Sequence, residues 1–117
     1  MNQLTNIFKI LSDETRARII ILLYQEELCV CELSGILGAP QSRISKNLSK
    51  LRDLNLVLVE RKEKFVFYKL RTENRILLNI IINIMNNFNS YPQLVTDQNR
   101  LMDKEKYLNQ CHVDVCQ

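Results

Sequence analysis

Apolar residues recur every three or four positions along the first part of the chain, which is the pattern of amphipathic helices. The first predicted helix has one apolar face, formed by Leu4, Ile7, Phe8 and Leu11. A second helix is predicted after the start signal Ser-Asp-Glu at residues 12–14, and it breaks at Glu26. Its apolar residues cover more than one face, so we expect it to be largely buried.

The next segment predicts two short helices joined by a turn. Residues 29–38, CVCELSGILG, have helical spacing and end at Gly38, where glycine tolerates the positive φ that ends many helices. Ala39 and Pro40 turn the chain, and residues 41–54, QSRISKNLSKLRDL, place apolar side chains on one face and polar or basic ones elsewhere. This arrangement is typical of a helix-turn-helix whose second helix contacts DNA.

A β-hairpin is predicted directly after the basic helix. Residues 57–59 and 65–68 are rich in β-forming side chains, and they flank the charged sequence Arg-Lys-Glu-Lys at 61–64. A basic hairpin after a recognition helix is a wing. The predicted fold class is therefore mainly α with a small β-hairpin (α+β), a winged helix-turn-helix.

A long apolar helix follows the hairpin and predicts a homodimer. Its stripe is formed by Ile76, Leu77, Ile80, Ile81, Ile84 and Phe88. One small domain cannot easily cover so much apolar surface, so we expect a second copy to cover the rest. We interpret residues 1–90 as the DNA-binding and dimerisation domain. Residues 91–117 are interpreted as a polar helix, from about Arg100 to Gln110, and a cysteine-containing tail. Before that helix, residues 89–98 are predicted to be a break because they contain Ser90, Pro92 and Asp97.

Composition agrees with one small domain that is not an enzyme. The chain has 117 residues, of which 46% are apolar, and it contains one histidine and two glycines. With so few of these residues, the sequence has no recognisable set of catalytic side chains and no Gly-rich phosphate loop. The first residues lack the features of a signal peptide, and the apolar stretch 76–88 is too short and too rich in asparagine to span a bilayer. We expect a cytoplasmic protein without a membrane segment.

The charge distribution favours nucleic acid as a partner. Between Arg43 and Arg71 there are nine basic and three acidic residues, whereas the rest of the chain has a net charge of −3. Polar side chains near the start of a recognition helix can reach base edges in the major groove. The predicted base-contacting residues are Gln41, Ser42, Arg43, Ser45 and Lys46. The predicted phosphate-contacting residues are Asn47, Lys50, Arg61, Lys62 and Lys64.

Two cysteines one residue apart, Cys29 and Cys31, are the candidate ion ligands. In a reducing compartment such a pair binds metal, senses redox state or is simply buried. Thiolates favour soft ions such as As(III), Sb(III), Cd(II), Pb(II) and Zn(II). Residues i and i+2 of a regular helix point about 200° apart. Both cysteines are predicted to lie in the first turn of the third helix, so an ion that binds both has to unwind that turn, on which the recognition helix rests.

Four stretches together resemble the ArsR/SmtB family of winged-helix metalloregulatory repressors. They are FKILSDETRARIIILL, ELCVCELSGILG, QSRISKNLSKLRDLNLV and the wing ending FYKL, and the resemblance covers about residues 4–90. It implies a homodimer that represses a resistance operon until a toxic metal or metalloid ion binds and releases it from operator DNA.

The resemblance leaves the inducing ion open. In the family, ELCVC occurs in sensors of As(III) and Sb(III) and in sensors of cadmium, lead and zinc. Many arsenic sensors have a third cysteine where this chain has Ser34, and the cadmium and lead sensors add cysteines upstream, where this chain has none before Cys29. The helix-five ligands of the zinc and nickel sensors are also missing. We expect As(III) or Sb(III), with Cd(II), Pb(II) or Zn(II) and thiol redox sensing as alternatives.

The last residues carry further metal-compatible side chains. Cys111, His112 and Cys116 lie beyond the resembling region. Cys111 and Cys116 are candidate additional ligands of the Cys29 and Cys31 site. The sequence equally allows a second site or an incidental tail.

Overall fold

The computed structural model describes residues 2–109, with side chains from Gln3 to Leu108. Cys111, His112 and Cys116, named above as candidate ligands, lie outside the described residues. Within that range the elements are α1 (Asn2–Leu11), α2 (Glu14–Gln25), β1 (Leu28–Cys29), α3 (Val30–Leu37), α4 (Gln41–Asp53), β2 (Val57–Lys62), β3 (Phe65–Leu70), α5 (Arg75–Asn86), a 3-10 turn (Phe88–Ser90), α6 (Pro92–Leu101) and α7 (Lys104–Asn109).

Local signals in the sequence explain where the helices begin and end. The Asp13 carboxylate caps α2 by accepting the Arg16 backbone N–H at 3.0 Å. Asn74 caps α5 in the same way, through its side-chain oxygen and the Leu77 N–H. Gly38 ends α3 with φ of +63°, a conformation that costs glycine little and other residues more.

The strands form one antiparallel sheet in the order β1-β3-β2. β2 and β3 are the predicted wing, and Glu63 turns its tip with φ of +55°. β1 was not predicted from the sequence. Its two residues pair with the wing, Leu28 opposite Tyr68 and Cys29 opposite Phe67. The sheet therefore joins the segment before α3 to the wing.

The core surrounds α2, whose central residues Ile19 to Leu23 are all buried. α3, α4 and α5 each add a buried apolar face. Their main contributions are Leu33, Ile36, Ile44, Leu48, Leu51, Leu77 and Ile81. The prediction of a mainly α fold with a β-hairpin, arranged as a winged helix-turn-helix, is confirmed. Every helix of residues 2–109 is too short or too polar to cross a membrane.

The predicted break over residues 89–98 is wrong. Most of that stretch is α6, which has Pro92 in its first turn, where proline is favoured. Polar Asp97 suggested a loop, but it is buried against Arg18 of α2, with Nε to Oδ2 at 2.9 Å and Nη2 to Oδ1 at 2.8 Å. The predicted helix from Arg100 to Gln110 is instead the end of α6 and the separate α7.

Candidate DNA-binding surface and cysteine site

One side of α4 is a polar and basic surface. Its apolar side, formed by Ile44, Leu48 and Leu51, is buried in the core. Five of the predicted DNA-contacting residues are exposed on the opposite side: Ser42, Arg43, Ser45, Lys46 and Lys50. The same periodicity that buries one face of α4 thus presents the other to a partner. An α-helix with this surface fits the major groove.

The other two predicted contacts on α4 are less accessible. Asn47 is 8% exposed, and its amide nitrogen donates to the Arg43 carbonyl at 3.0 Å. Its side-chain oxygen accepts a hydrogen bond from Arg16 Nη1 at 3.4 Å. Gln41 is half-buried and faces α3. These contacts favour positioning roles, and direct DNA contact by Asn47 and Gln41 stays a prediction.

The wing presents Arg61, Lys62 and Lys64 to solvent. Lys62 already has partners, because its ammonium pairs with the Glu27 carboxylate and lies 5.8 Å from the centre of the Phe67 ring. The hydrogen bond with Glu27 raises the pKa of Lys62. Phosphate would therefore compete with a carboxylate at Lys62, and Arg61 and Lys64 are the more available wing cations.

The two cysteines are close in the sequence but lie in different elements. Cys29 belongs to β1 and is the N-cap of α3, with extended φ and ψ of −95° and 173°, whereas Cys31 is the second residue of α3. The expectation that both lie in a regular helix is wrong, because pairing with Phe67 holds Cys29 extended. An ion therefore does not have to unwind the helix before it can contact both sulfurs.

The pair is enclosed. Cys29 is 0% exposed and Cys31 is 4% exposed, and both pack with Phe65, Phe67 and Leu108. Burial raises the pKa of Cys29 to about 11, although the backbone N–H groups of Glu32 and Cys31 act in the opposite direction. Cys29 is thus protonated at neutral pH. A divalent ion bound by Cys29 has to displace this proton.

Glu32 is a buried acid beside the pair that sequence reasoning missed. It is 2% exposed, and its Oε1 accepts the Cys29 backbone N–H at 3.0 Å. Burial raises the pKa of Glu32. The signal in the sequence was its position three residues after the N-cap, where a glutamate can bond back to the cap. Glu32 thereby fixes the backbone between β1 and α3.

The last two helices pack on the cysteine site. Lys104 pairs with Glu26 at 2.7 Å, and Arg100 Nη1 donates to the Ile36 carbonyl at 3.0 Å. α7 lies against α3, with Leu108 at the cysteines and the Tyr107 ring over Gly35. The described chain therefore ends beside the cysteine pair, two residues before Cys111.

We expect Gly35→Ala to displace α7 from α3. A Cβ atom at position 35 would overlap the Tyr107 ring, so the ring and its helix have to move. Amide hydrogen exchange of residues 104–109 should therefore quicken, while exchange in α2 stays the same. Ser34→Ala, which adds no atom under the ring, is the matched control. Unchanged exchange in the Gly35→Ala variant would show that α7 does not depend on this contact.

No group of three or more His, Cys, Asp or Glu residues that could hold a metal ion occurs within the described residues. Cys29 and Cys31 remain the candidate soft ligands within that range.

A buried three-helix core, a recognition helix with an exposed basic face and a β-hairpin wing define a winged helix-turn-helix DNA-binding domain. Comparison with known protein families finds a match to a family of this class. Residues 13–59 match the family described as "Bacterial regulatory protein, arsR family". Residues 13–59 are therefore similar to the helix-turn-helix domain of this family.

Individual relatives agree with this family. The chain is 44% identical over 68 residues to the arsenic resistance transcriptional regulator ArsR1 of Pseudomonas putida, covering 57% of this chain and 53% of that protein. It is 38% identical over 65 residues to the cadmium resistance transcriptional regulatory protein CadC of Listeria innocua, covering 55% of each. The chain spans about half the length of these curated relatives.

The solved structure of reduced HlyU from Vibrio cholerae is similar in fold. It has a TM-score of 0.67 and 29% identity, covering 74% of this chain and 90% of that one. The relatives are regulators, which agrees with the expectation that this protein is not an enzyme.

Proposed function

We propose that the protein is a metalloid-responsive transcriptional repressor. It binds operator DNA as a homodimer through α4 and the wing, and As(III) or Sb(III) at Cys29 and Cys31 releases it. The observation that carries this proposal is the position of the cysteine pair. The two sulfurs lie at the junction of β1, which pairs with the wing, and α3, which packs on α4. An ion at this junction would contact β1 and α3, which pack against the two elements that face DNA, the wing and α4.

The chemistry of the pair suits a trivalent metalloid. Each cysteine thiol that binds arsenous acid replaces one hydroxyl group of As(OH)₃ and releases one water, so the exchange needs no free thiolate and no oxidant. A neutral, thiol-seeking molecule also suits a site walled by Phe65, Phe67 and Leu108. The named function of the Pseudomonas putida relative supports arsenic, and that of the Listeria innocua relative supports cadmium as the alternative. Pb(II) and Zn(II) are further alternatives.

The tail is proposed to supply a third sulfur. Ser34, where the resemblance implies a third cysteine, is used differently here, because its hydroxyl donates to the Ala39 carbonyl at 2.5 Å and supports the turn before α4. α7 ends at Asn109 beside the pair, and an extended chain covers about 3.5 Å per residue. Cys111, two residues further along the chain, is the proposed ligand, and Cys116 is the other candidate.

A second copy of the chain is proposed to cover α5 and α1. Ile76 is 48% exposed, Ile82 is 39% exposed and Phe8 of α1 is 57% exposed. Ile80 and Ile84 line a shallow groove between Asn79 and Asn83 on the same helix. A homodimer would bury these side chains and place two recognition helices on one operator.

The direct test is operator binding titrated with arsenite, antimonite, cadmium, lead and zinc in parallel, with the protein fully reduced. We expect arsenite and antimonite to release DNA at the lowest concentrations. If only cadmium, lead or zinc releases DNA, that ion is the inducer and not As(III) or Sb(III). Binding that no ion affects would exclude ion sensing.

Thiol redox sensing is the second candidate function. It is supported by the spacing of the two cysteines, one residue apart, and by the structural likeness to HlyU, which has been solved in a form named as reduced. A redox sensor loses DNA binding when oxidised and regains it with reductant. An ion sensor loses DNA binding while strong reductant is present.

We expect Arg43→Ala and Lys46→Ala to weaken operator binding about fivefold or more each without unfolding the protein. Both side chains are exposed on α4, and a lost base contact typically costs about 1–3 kcal/mol. Fluorescence anisotropy on labelled operator measures the effect. Lys106→Ala, at an exposed position of α7, removes the same charge outside α4 and the wing and is the control. Parental affinity in both α4 variants would disprove the assignment of α4 as the recognition helix.

A further inference from the structure

The end of the recognition helix and the end of the first helix form a basic cleft. The cleft has a volume of about 320 Å³ and lies between the last turn of α1, the start of α2 and the last turn of α4. Each of the three helices places one cation in its lining: Lys9 in α1, Arg16 in α2 and Lys50 in α4. Among the described residues that line the cleft, Asp53 is the one acid, so positive charge predominates there.

Arg16 is held in the cleft by neutral groups. Its Nε donates to the Ile10 carbonyl at 3.4 Å, its Nη2 to the Lys9 carbonyl at 3.3 Å and its Nη1 to the Asn47 side-chain oxygen at 3.4 Å. The two carbonyls belong to the last turn of α1, where such groups lack helical partners. Because all three acceptors are neutral, they leave the charge of Arg16 uncompensated, and each terminal nitrogen keeps a second N–H. Arg16 is therefore a half-buried, positioned cation that still has N–H groups to offer an anion.

Lys9 and Lys50 complete the cleft without a structural role of their own. Both are exposed, and neither side chain forms a hydrogen bond or an ion pair within residues 3–108. Like charges that gather in one place repel each other, which raises the free energy of the protein in the absence of an anion. A bound anion removes this repulsion. The cleft is therefore suited to a negatively charged group.

The position of the cleft points to DNA as the source of that group. Lys50 lies one turn beyond Lys46 and two turns beyond Arg43 on the exposed side of α4, so the basic surface of the recognition helix continues into the cleft. A helix in the major groove has a phosphate backbone on each side. We propose that a backbone phosphate of the operator lies in this cleft, between Arg16, Lys9 and Lys50. The proposal rests on the DNA-binding function proposed above and extends the DNA surface from α4 onto α1 and α2.

A phosphate contact predicts a result that base recognition does not. Phosphates repeat along every duplex, so they contribute affinity and carry no direct sequence information. A side chain in the cleft therefore contributes equally to binding of the operator and of an unrelated duplex. Sequence pattern did not indicate Lys9 and Arg16 as contacts, because both lie far along the chain from Lys50.

The first experiment measures the salt dependence of DNA binding. We expect Lys9→Ala to weaken binding to the operator and to an unrelated duplex by the same factor. Because one phosphate contact contributes about 0.9 to the slope of log affinity against log salt, the parent should lose about 3.5-fold more affinity than Lys9→Ala between about 50 and 200 mM salt for each contact removed. Lys9→Arg keeps the charge and should keep the parental salt dependence. Lys106→Ala on α7 is the matched control and should leave it unchanged.

A parental salt dependence in Lys9→Ala would overturn the proposal, and so would a loss confined to the operator. The proposed function is judged separately, by the parent and Arg43→Ala. If the parent binds operator and Arg43→Ala weakens that binding, the function stands even when Lys9→Ala has no effect. A parent that does not bind the operator refutes the function itself.

The second experiment changes the cleft in the opposite direction. Asp53→Asn removes the carboxylate at nearly constant size, so we expect operator affinity to rise about threefold, the order of one charge interaction near the surface. The rise should shrink as salt is added, because salt screens exposed charges. Glu105→Gln, at an exposed position of α7, makes the same charge change elsewhere. An equal rise in both variants, or none in Asp53→Asn, would contradict a phosphate at this position.

The third experiment observes Arg16, which is not replaced because its guanidinium also holds the end of α1. Its Nε–H resonance is recorded by NMR while an unrelated duplex is added to the parent. We expect this resonance to shift, whereas the Nε–H of Arg18, which is paired with buried Asp97, should stay in place. In Lys9→Ala the shift should need a higher duplex concentration. An Arg16 resonance that behaves like that of Arg18 would exclude a phosphate beside the guanidinium.

Discussion

Replacing either Cys29 or Cys31 with serine is expected to leave operator binding intact and to abolish arsenite-induced release. Serine is close to cysteine in size, so β1 and α3 should keep their backbone, but its hydroxyl is a poor ligand for soft ions. We expect the arsenite concentration that releases half of the DNA to rise at least a hundredfold. Anisotropy titrations on labelled operator in strong reductant measure this. Parental release in both variants would contradict the assignment of the site.

The tail cysteines provide the internal comparison for that experiment. If one of them is the third ligand, Cys111→Ser or Cys116→Ser weakens arsenite binding about tenfold or more, and the other leaves it unchanged. If both variants behave like the parent, the third ligand is a small thiol or water. X-ray absorption on the arsenite complex counts the sulfur neighbours directly. A complex without sulfur from Cys29 or Cys31 would exclude the proposed site.

Asp97→Ala is expected to destabilise the protein by about 3–5 kcal/mol, a large loss for the removal of one charge. The Asp97 side chain is 2% exposed, and it holds Arg18 through two hydrogen bonds while also accepting one from Gln93 Nε2 at 3.0 Å. Removing the carboxylate leaves a largely buried guanidinium unpaired. The loss is measured as the free energy of unfolding in urea at neutral pH.

The exposed ion pair between Arg71 and Glu73 is the matched control. Its atoms are 3.5 Å apart and Glu73 is 70% exposed, so Glu73→Ala should change stability by less than about 1 kcal/mol. The double variant Arg18→Met with Asp97→Leu should recover most of the loss, because it leaves no unpaired charge. A loss below about 1 kcal/mol for Asp97→Ala would show that α6 contributes little to the core.

Periodicity and turn signals predicted most of the fold because they act locally. The Asp13 cap, Gly38 at the end of α3 and the alternating strands of the wing each depend on neighbours within a few residues. β1 was not predicted because two residues are too few to show the alternating pattern of a strand. Its formation depends on pairing with Tyr68 and Phe67, nearly forty positions away. α6 was not predicted for a similar reason, because the burial of Asp97 depends mainly on its ion pair with Arg18 of α2.

The candidate site also combines features that local sequence pattern predicts with features that depend on distant contacts. The exposed basic face of α4 and the cations of the wing follow from local pattern, and the structure places them as the sequence indicates. The orientation of Gln41 toward Cys31, the burial of Asn47 and the pairing of Lys62 with Glu27 depend on contacts between elements. No spacing within one helix could have indicated them.

The division of the cysteine pair between β1 and α3 has a consequence for the shape of the protein that meets DNA. Cys29 is joined through β1 to the sheet of the wing, and Cys31 lies in α3, which packs on α4. An ion that held both sulfurs would set the separation between the hairpin and α3. Sulfur bonds to zinc are about 2.3 Å long, and larger ions need longer ones. The radius of the bound ion would then help to determine how well the wing and α4 together fit the grooves of DNA.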